Sequence, residues 1–291
     1  MKKLFAIMTF ALCAALFCAC NDDNSTSWPV PQPVVETLYD KYPTASHIRW
    51  YHSGAYAVAE FRTSQNNVAQ RRWAWFDAAG TWYMTETDAT LAQMPQAVQT
   101  AFRQSSYASW EVEQGDLLER AGLDDLYAIR IEDRSRTRND DEAVLFYTAD
   151  GKMVRKLTDP ADDYRYGDML PVPLPASVSA FIQSQYPGAQ LIASGFGDNV
   201  TRVEILDDGV VRTLWFDGGD DWLYTVTPVS YRSLPDAVAA AFAESEYARY
   251  TVLDTLYYNT PAGDYYRLIL QSGTQTVEID ITPDGTIAAN R

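Results

Sequence analysis

Two histidines and three cysteines are the chain's whole stock of the side chains that most often do chemistry near neutral pH. His47 and His52 stand five apart in a stretch that alternates like a strand, a spacing that puts them on opposite faces. They do not converge on a zinc ion, nor do they pair into a hydrolytic Ser/His/Asp triad. All three cysteines lie at or before Cys20, so the folded part has no disulfide, no thiol nucleophile and no thiolate metal site. A phosphate-cradling glycine loop and a Gly-x-Ser-x-Gly elbow are both missing from the sequence.

Carboxylates are plentiful, in Asp140-Asp141-Glu142, Asp162-Asp163, Asp207-Asp208 and Asp220-Asp221. A glycosidase needs two carboxylates about 5–10 Å apart, and acidic loops hold calcium. Each of these clusters falls where a turn is expected, however, and none has the spacing of an EF-hand loop. They read as solvated turn acids. The expectation is therefore of no catalytic residue, no metal, no cofactor and no enzyme. The net charge of −16 repels nucleic acid and anionic lipid headgroups alike. Trp73, Trp75, Trp82, Trp215 and Trp222 remain, set among many tyrosines in strand-like stretches.

Those tryptophans belong to a stretch that occurs twice. Arg72-Trp73-Ala74-Trp75-Phe76-Asp77-Ala78-Ala79-Gly80-Thr81-Trp82 returns 140 residues later as Arg212-Thr213-Leu214-Trp215-Phe216-Asp217-Gly218-Gly219-Asp220-Asp221-Trp222. Aromatic and β-branched residues on both sides of an Asp/Gly turn predict a β-hairpin, and its recurrence predicts a tandem array. Four short amphipathic helices punctuate the chain, beginning at Pro33, Pro95, Pro175 and Pro235, with proline at the first helical position. Apolar residues follow at i, i+3 and i+4, as in Val98, Ala101 and Phe102. After each helix the period changes to two. Strands are predicted at 46–52, 55–63, 70–77 and 81–86, then at 108–114, 125–133, 142–149 and 152–157, with the scheme repeated in the second half. The helix starts lie 62 and 60 residues apart within each half but 80 apart between Pro95 and Pro175. The excess, 158–173, reads as a linker between a domain at 33–157 and a domain at 174–291.

The N-terminus reads as an address. Lys2 and Lys3 precede an apolar run from Leu4 to Phe17 that is too short for a membrane span. Leu16-Phe17-Cys18-Ala19-Cys20 resembles a bacterial lipobox, so residues 1–20 are a lipoprotein signal peptide with Cys20 as the acylated residue. Residues 21–32 form a polar, flexible tether. Its acidic start, Asn21-Asp22-Asp23, resembles the surface-export signal of some Gram-negative anaerobes. The implied place is the outer membrane, facing the periplasm or the cell surface, with membrane contact through the lipid anchor alone. Loss of Lys2 and Lys3 leaves 21 basic against 39 acidic residues, a net charge of −18.

The repeated pattern Leu/Met-Pro-x-x-Val-x-x-x-Phe, then Tyr-Pro-x-Ala or Ser-x-Tyr-Ala, then Trp-Phe-Asp-x-x-Gly/Asp-x-Trp, resembles the PepSY-like family over nearly all of 33–291. That family is described as similar to the secreted β-lactamase-inhibitor protein. The resemblance implies an α+β fold: tandem helix-plus-four-stranded antiparallel meander units, paired into two β-lactamase-inhibitor-protein-like domains.

Strand alternation assigns faces. Ala57, Ala59 and Phe61, Val203 and Ile205, Ile129 and Ile131, and Leu268 and Leu270 look toward the helices. Trp73, Trp75 and Trp215 then fall on the helix-free face beside Arg130, Arg202 and Arg267, a face that is either open to a ligand or covered by the partner domain, with the rings sheltered under long side chains. Aromatics interleaved with arginine are what protein-binding surfaces concentrate. Two readings follow. In one, the chain is a non-catalytic, inhibitor-like binding module for a protein or peptide. In the other, its aromatics stack on sugar rings and it is a surface glycan-binding lipoprotein.

Overall fold

The computed structural model describes residues 28–65, 68–135, 141–161 and 165–289. The lipidation reading at Cys20, the tether through Ser27, and Asp140, Asp162 and Asp163 lie outside the described residues. None of the described helices is long and apolar enough to cross a membrane.

Among the described residues, two antiparallel sheets of eight strands each run in simple sequential order. The first half runs α1 (Gln32–Lys41), β1 (Ser46–Ser53), β2 (Tyr56–Gln65), β3 (Val68–Phe76), β4 (Trp82–Asp88), α2 (Gln96–Gln104), β5 (Glu111–Arg120), β6 (Leu126–Asp133), β7 (Asp141–Thr148) and β8 (Met153–Thr158). The second runs α3 (Ala176–Gln185), β9 (Gln190–Gly197), β10 (Val200–Asp207), β11 (Val210–Asp217), β12 (Trp222–Pro228), α4 (Asp236–Glu244), β13 (Thr251–Asn259), β14 (Tyr265–Ser272), β15 (Gln275–Ile281) and β16 (Ile287–Ala289). Strand dominates over helix, and within each half the eight strands make one continuous sheet rather than two separate ones of four.

Two local expectations are corrected. Pro95, Pro175 and Pro235 are N-caps rather than first helical residues: ψ near 145° keeps each extended while its carbonyl accepts from the amide four residues on. The fifth strand lies at Glu111–Arg120, later than 108–114, because a bulge between Val112 and Gln114 breaks the alternation in mid-strand.

Each hairpin turn abuts a helix start. The Asp77 carboxylate accepts from the Ala79 and Thr81 amides at 2.9 Å, and Asp217 does the same for Gly219 and Asp221. Gly80 then takes a left-handed φ of 87°, and a Cβ there would lie 2.7 Å from the Pro33 carbonyl oxygen. In the second copy this position is Asp220, also left-handed, whose carboxylate accepts from the Ser177 hydroxyl at the α3 N-terminus. The Asp220-Asp221 pair is thus part of a turn-to-helix clasp.

Under the four helices lie four apolar clusters. Val34 and Leu38 pack on Ala57, Ala59, Phe61, Ala74 and Phe76, and Val98 and Phe102 pack on Ile129, Ile131 and Leu145. Val178 packs on Val203, Ile205, Leu214 and Phe216, and Val238 and Phe242 pack on Leu268, Leu270 and Ile279. A fifth cluster fills the other face of the first sheet. There Trp73, Trp75, Met84, Leu118, Leu126 and Phe146 are covered by Tyr166, Met169 and Leu170 from the segment between the sheets. Ile192, Ala193 and Leu206 of β9 and β10 complete the cover. Arg120, itself buried, fastens it by donating to the Ile192 and Asp124 carbonyls.

Candidate functional site

The predicted site residues divide between the two sheets. Trp73 and Trp75 do lie on the helix-free face, but they are only 8% and 2% exposed. The sequence-level placing of these two indoles on an open surface is corrected, because the cover just described arrives from elsewhere in the chain. Trp73 is enclosed further by the Arg71 and Arg165 guanidiniums, 5.1 and 4.7 Å from its ring centre. Arg130 shares that inner face, mostly buried, with Glu142 at 3.8 Å. These three do not form a surface.

Arg202, Trp215 and Arg267 behave differently. Trp215 on β11 is half-buried, with the Arg202 guanidinium 5.9 Å from its ring centre. Across the sheet its register partner is Tyr224, at a ring separation of 5.9 Å. Tyr224 contacts Tyr258 of β13 at 5.8 Å, and Tyr258 stacks on Tyr265 of β14 at 4.8 Å with planes 9° apart. The Arg267 guanidinium closes the row at 4.9 Å from Tyr258 and 5.6 Å from Tyr265. Arginine thus caps both ends of a four-ring ribbon across β11, β12, β13 and β14, three inter-strand steps or about 14 Å. All four rings are partly exposed.

The first sheet shows how differently the same register can be furnished. Opposite Trp75 stand Val58 and Met84, and Leu118 pairs with Leu126. Opposite Trp215 stand Arg202 and Tyr224, and Tyr258 pairs with Tyr265. One sheet has an apolar, covered face here; the other has an amphipathic face.

The ribbon's electrostatics suit recognition. Arg267 is gripped by Asp280 at 2.7 and 2.9 Å, a two-point pairing that pushes its already high pKa further up. Burial raises the Tyr258 and Tyr265 phenols against the opposing pull of Arg267, so both stay neutral hydroxyl donors near pH 7. At its other end, Arg202 pairs with the buried Glu204. There the ribbon meets a cleft of about 260 Å³ between the two halves, lined also by Tyr56, Arg155, Asp168 and Ser194. Stacking, hydrogen bonding and charge pairing are the chemistry this row offers. His47, in a bulge of β1, and His52, edge-on to Trp28, are both exposed and far along the sequence from it.

Sequence reasoning missed Tyr224, Tyr258 and Tyr265. The available signal was parity: each shares its strand's outward set, as Arg267 does with Tyr265. Nothing in a linear pattern aligns rings on four different strands.

Comparison with known proteins follows the same division of the chain. No curated protein matches. Among solved structures, a BLIP-like protein from Bacteroides fragilis is 27% identical, with 48% of this chain and 94% of that one covered and a TM-score of 0.42. Another, described as a "putative periplasmic protein" from Bacteroides eggerthii, is 26% identical, with 45% and 90% covered and a TM-score of 0.40. The profile of the family described as "Putative beta-lactamase-inhibitor-like, PepSY-like" matches residues 57–155 and again 199–288. With two copies spanning most of both sheets, the chain belongs to that PepSY-like family.

Proposed function

We propose that this chain is a non-catalytic, inhibitor-like envelope protein that binds a protein or peptide on the helix-free face of its second sheet. One observation carries the reading: the half-exposed row Arg202, Trp215, Tyr224, Tyr258, Tyr265 and Arg267 stands where the first sheet is apolar and covered. Tyrosine, tryptophan and arginine carry most of the energy in protein interfaces, because they bury large area at small entropic cost. The rings pack against one another, tilted by 32° and 42° at two steps and stacked at 9° and 4.8 Å at the third, so their faces turn to each other instead of lying side by side as a sugar platform would. This favours the peptide reading over the glycan one.

The proposal includes two tandem domains at 33–157 and 174–291, tethered to the outer membrane through a lipid on Cys20. The test is photo-crosslinking in the producing cells, with a benzophenone side chain at position 215 or 258 and a control at exposed Tyr39 on α1. Protein adducts are expected at 215 and 258, absent from the control, and lost when Arg202 and Arg267 are both replaced by alanine. Adducts of equal yield at Tyr39, or specific capture on a glycan array without any protein adduct, would overturn it. In the same cells labelled palmitate should mark the wild type and not Cys20→Ala.

A further inference from the structure

Three carboxylates converge on the helix-free face of the first sheet, none of them in the acidic turns. Glu86 and Asp88 share one side of β4, and Asp116 stands directly across from Asp88 on β5. One oxygen from each lies within 4.8 Å of the others. Like charges placed opposite one another destabilise a sheet, so three together need a reason.

The fold does not supply that reason. At the matching register of the second sheet Pro228 pairs with Leu256 and Val226 with Tyr258, and the strands run on without a carboxylate there. Among the described residues, neighbouring groups compensate the trio only in part. Asp116 accepts from the Tyr166 hydroxyl at 2.6 Å and from Gln114 at 3.0 and 3.1 Å. Glu86 is fully buried, and neither of its oxygens has a hydrogen-bond partner. Among the described residues Arg165 is paired with it at 3.8 Å, beyond hydrogen-bonding distance and engaged over the Trp73 ring. Arg71 pairs with Glu60 at 2.8 Å and exerts a weaker, longer-range pull on Asp88 and Glu86. An ionised carboxylate so poorly compensated would cost several kcal/mol, so the position holds either a proton or a cation.

From this geometry we infer that Glu86, Asp88 and Asp116 form a divalent-cation site, with calcium as the fitting ion. The donors are all carboxylate oxygens, with no imidazole or thiolate, which selects a hard cation over zinc or copper. Calcium–oxygen distances of 2.3–2.6 Å place ligands on opposite sides of the ion up to about 5 Å apart, which accommodates three oxygens lying within 4.8 Å of one another. Asp88 is the half-buried member, and it lines a groove of about 760 Å³ with Gln70, Gln93, Gln114 and the arginines Arg62 and Arg71, which opens its carboxylate to solvent. The site stands on β4, β5 and the Tyr166 segment together, so occupancy ties the inner cover to the sheet. It does not depend on the proposed peptide-binding row.

The test uses the full mature chain after chelation. Calcium added to about 10 mM, an order above the millimolar affinities of extracellular sites, should raise the melting temperature by several degrees, with magnesium weaker and EDTA reversing the effect. Terbium in the same site should be sensitised by the adjoining Trp73 and Tyr166 rings and displaced by calcium. Asp88→Asn, at the half-exposed position, and Asp116→Asn should each abolish both signals. Glu86→Gln should abolish them too. No thermal shift and no terbium emission in the wild type, or both signals retained in a folded Asp88→Asn, would overturn the inference. Retention would place the ion in the acidic turns instead.

Discussion

Trp75 and Trp215 are the same residue in the same register, and their surroundings differ. Trp75 is sealed under Tyr166, Met169 and the first strands of the other sheet, whereas Trp215 stacks between Arg202 and Tyr224 and stays half-exposed. Truncating a fully packed indole costs about 3–5 kcal/mol; truncating one in a partly wet row costs about 1 kcal/mol, as for an ordinary substitution. Urea titration of Trp75→Ala and Trp215→Ala should separate them by at least about 2 kcal/mol. Equal losses would mean that Trp215 is as deeply covered as its counterpart. Alternation made the face of both side chains legible, since Ala57, Ala59 and Phe61 do turn to α1 and Val203 and Ile205 to α3. What covers each face was not legible. That cover comes from a segment about ninety positions onward with no period to read, and from two strands of the other half.

At the level of elements, turn chemistry determines how closely a helix sits on its sheet. Asp77, Gly80 and Pro33 form one contact: the carboxylate orders the turn, the left-handed glycine closes it, and the absent Cβ lets the α1 start rest against it. Gly54, at φ 59°, closes the β1–β2 hairpin with open space around it. Both glycine-to-alanine changes carry left-handed strain of about 1–2 kcal/mol. Only Gly80→Ala also drives a methyl group into the Pro33 carbonyl, so it should lose at least about 1 kcal/mol more. Thermal unfolding of the two variants checks this, and a Gly54→Ala loss as large as that of Gly80→Ala would refute the clasp. Much of this level was readable beforehand. Helix and strand positions came from the change of period, and the Asp turns from their residues. The exceptions were local: the bulge at Val112 to Gln114 displaced β5, and proline as an N-cap moved three helix starts by one residue.

At the level of the whole molecule, two halves built alike serve unlike ends. The first turns its helix-free face inward, against the segment between the sheets and the strands beyond it. The second leaves the corresponding face furnished with rings and arginines. The repeat itself was plain in the sequence, as the paired family matches over 57–155 and 199–288 bear out. The inequality between the copies was not, because Met84 against Tyr224, or Leu118 against Tyr258, is a mild change in a linear string. It becomes decisive only when those positions line up across neighbouring strands. The carboxylates of β4 and β5 were hidden for the same reason: Asp88 and Asp116 are 28 residues apart in the chain and face to face in the sheet.

The borrowed cover on the first sheet also has a consequence in time. Every strand in either sheet pairs with its sequence neighbour, so loops close cheaply and the sheets can assemble as the chain emerges. The first sheet is complete at Thr158, yet Tyr166, Met169, Ile192 and Leu206 come later. Until they arrive, Trp73, Trp75, Leu118 and Phe146 face water, and a nascent chain is sticky during that interval. A fragment ending at Thr158 freezes this moment. It should bind a hydrophobic dye and self-associate in sedimentation, while the full-length chain does neither. A monomeric, dye-silent fragment would show that the first half closes its own face, and that the later residues come to rest on a surface already at peace with solvent.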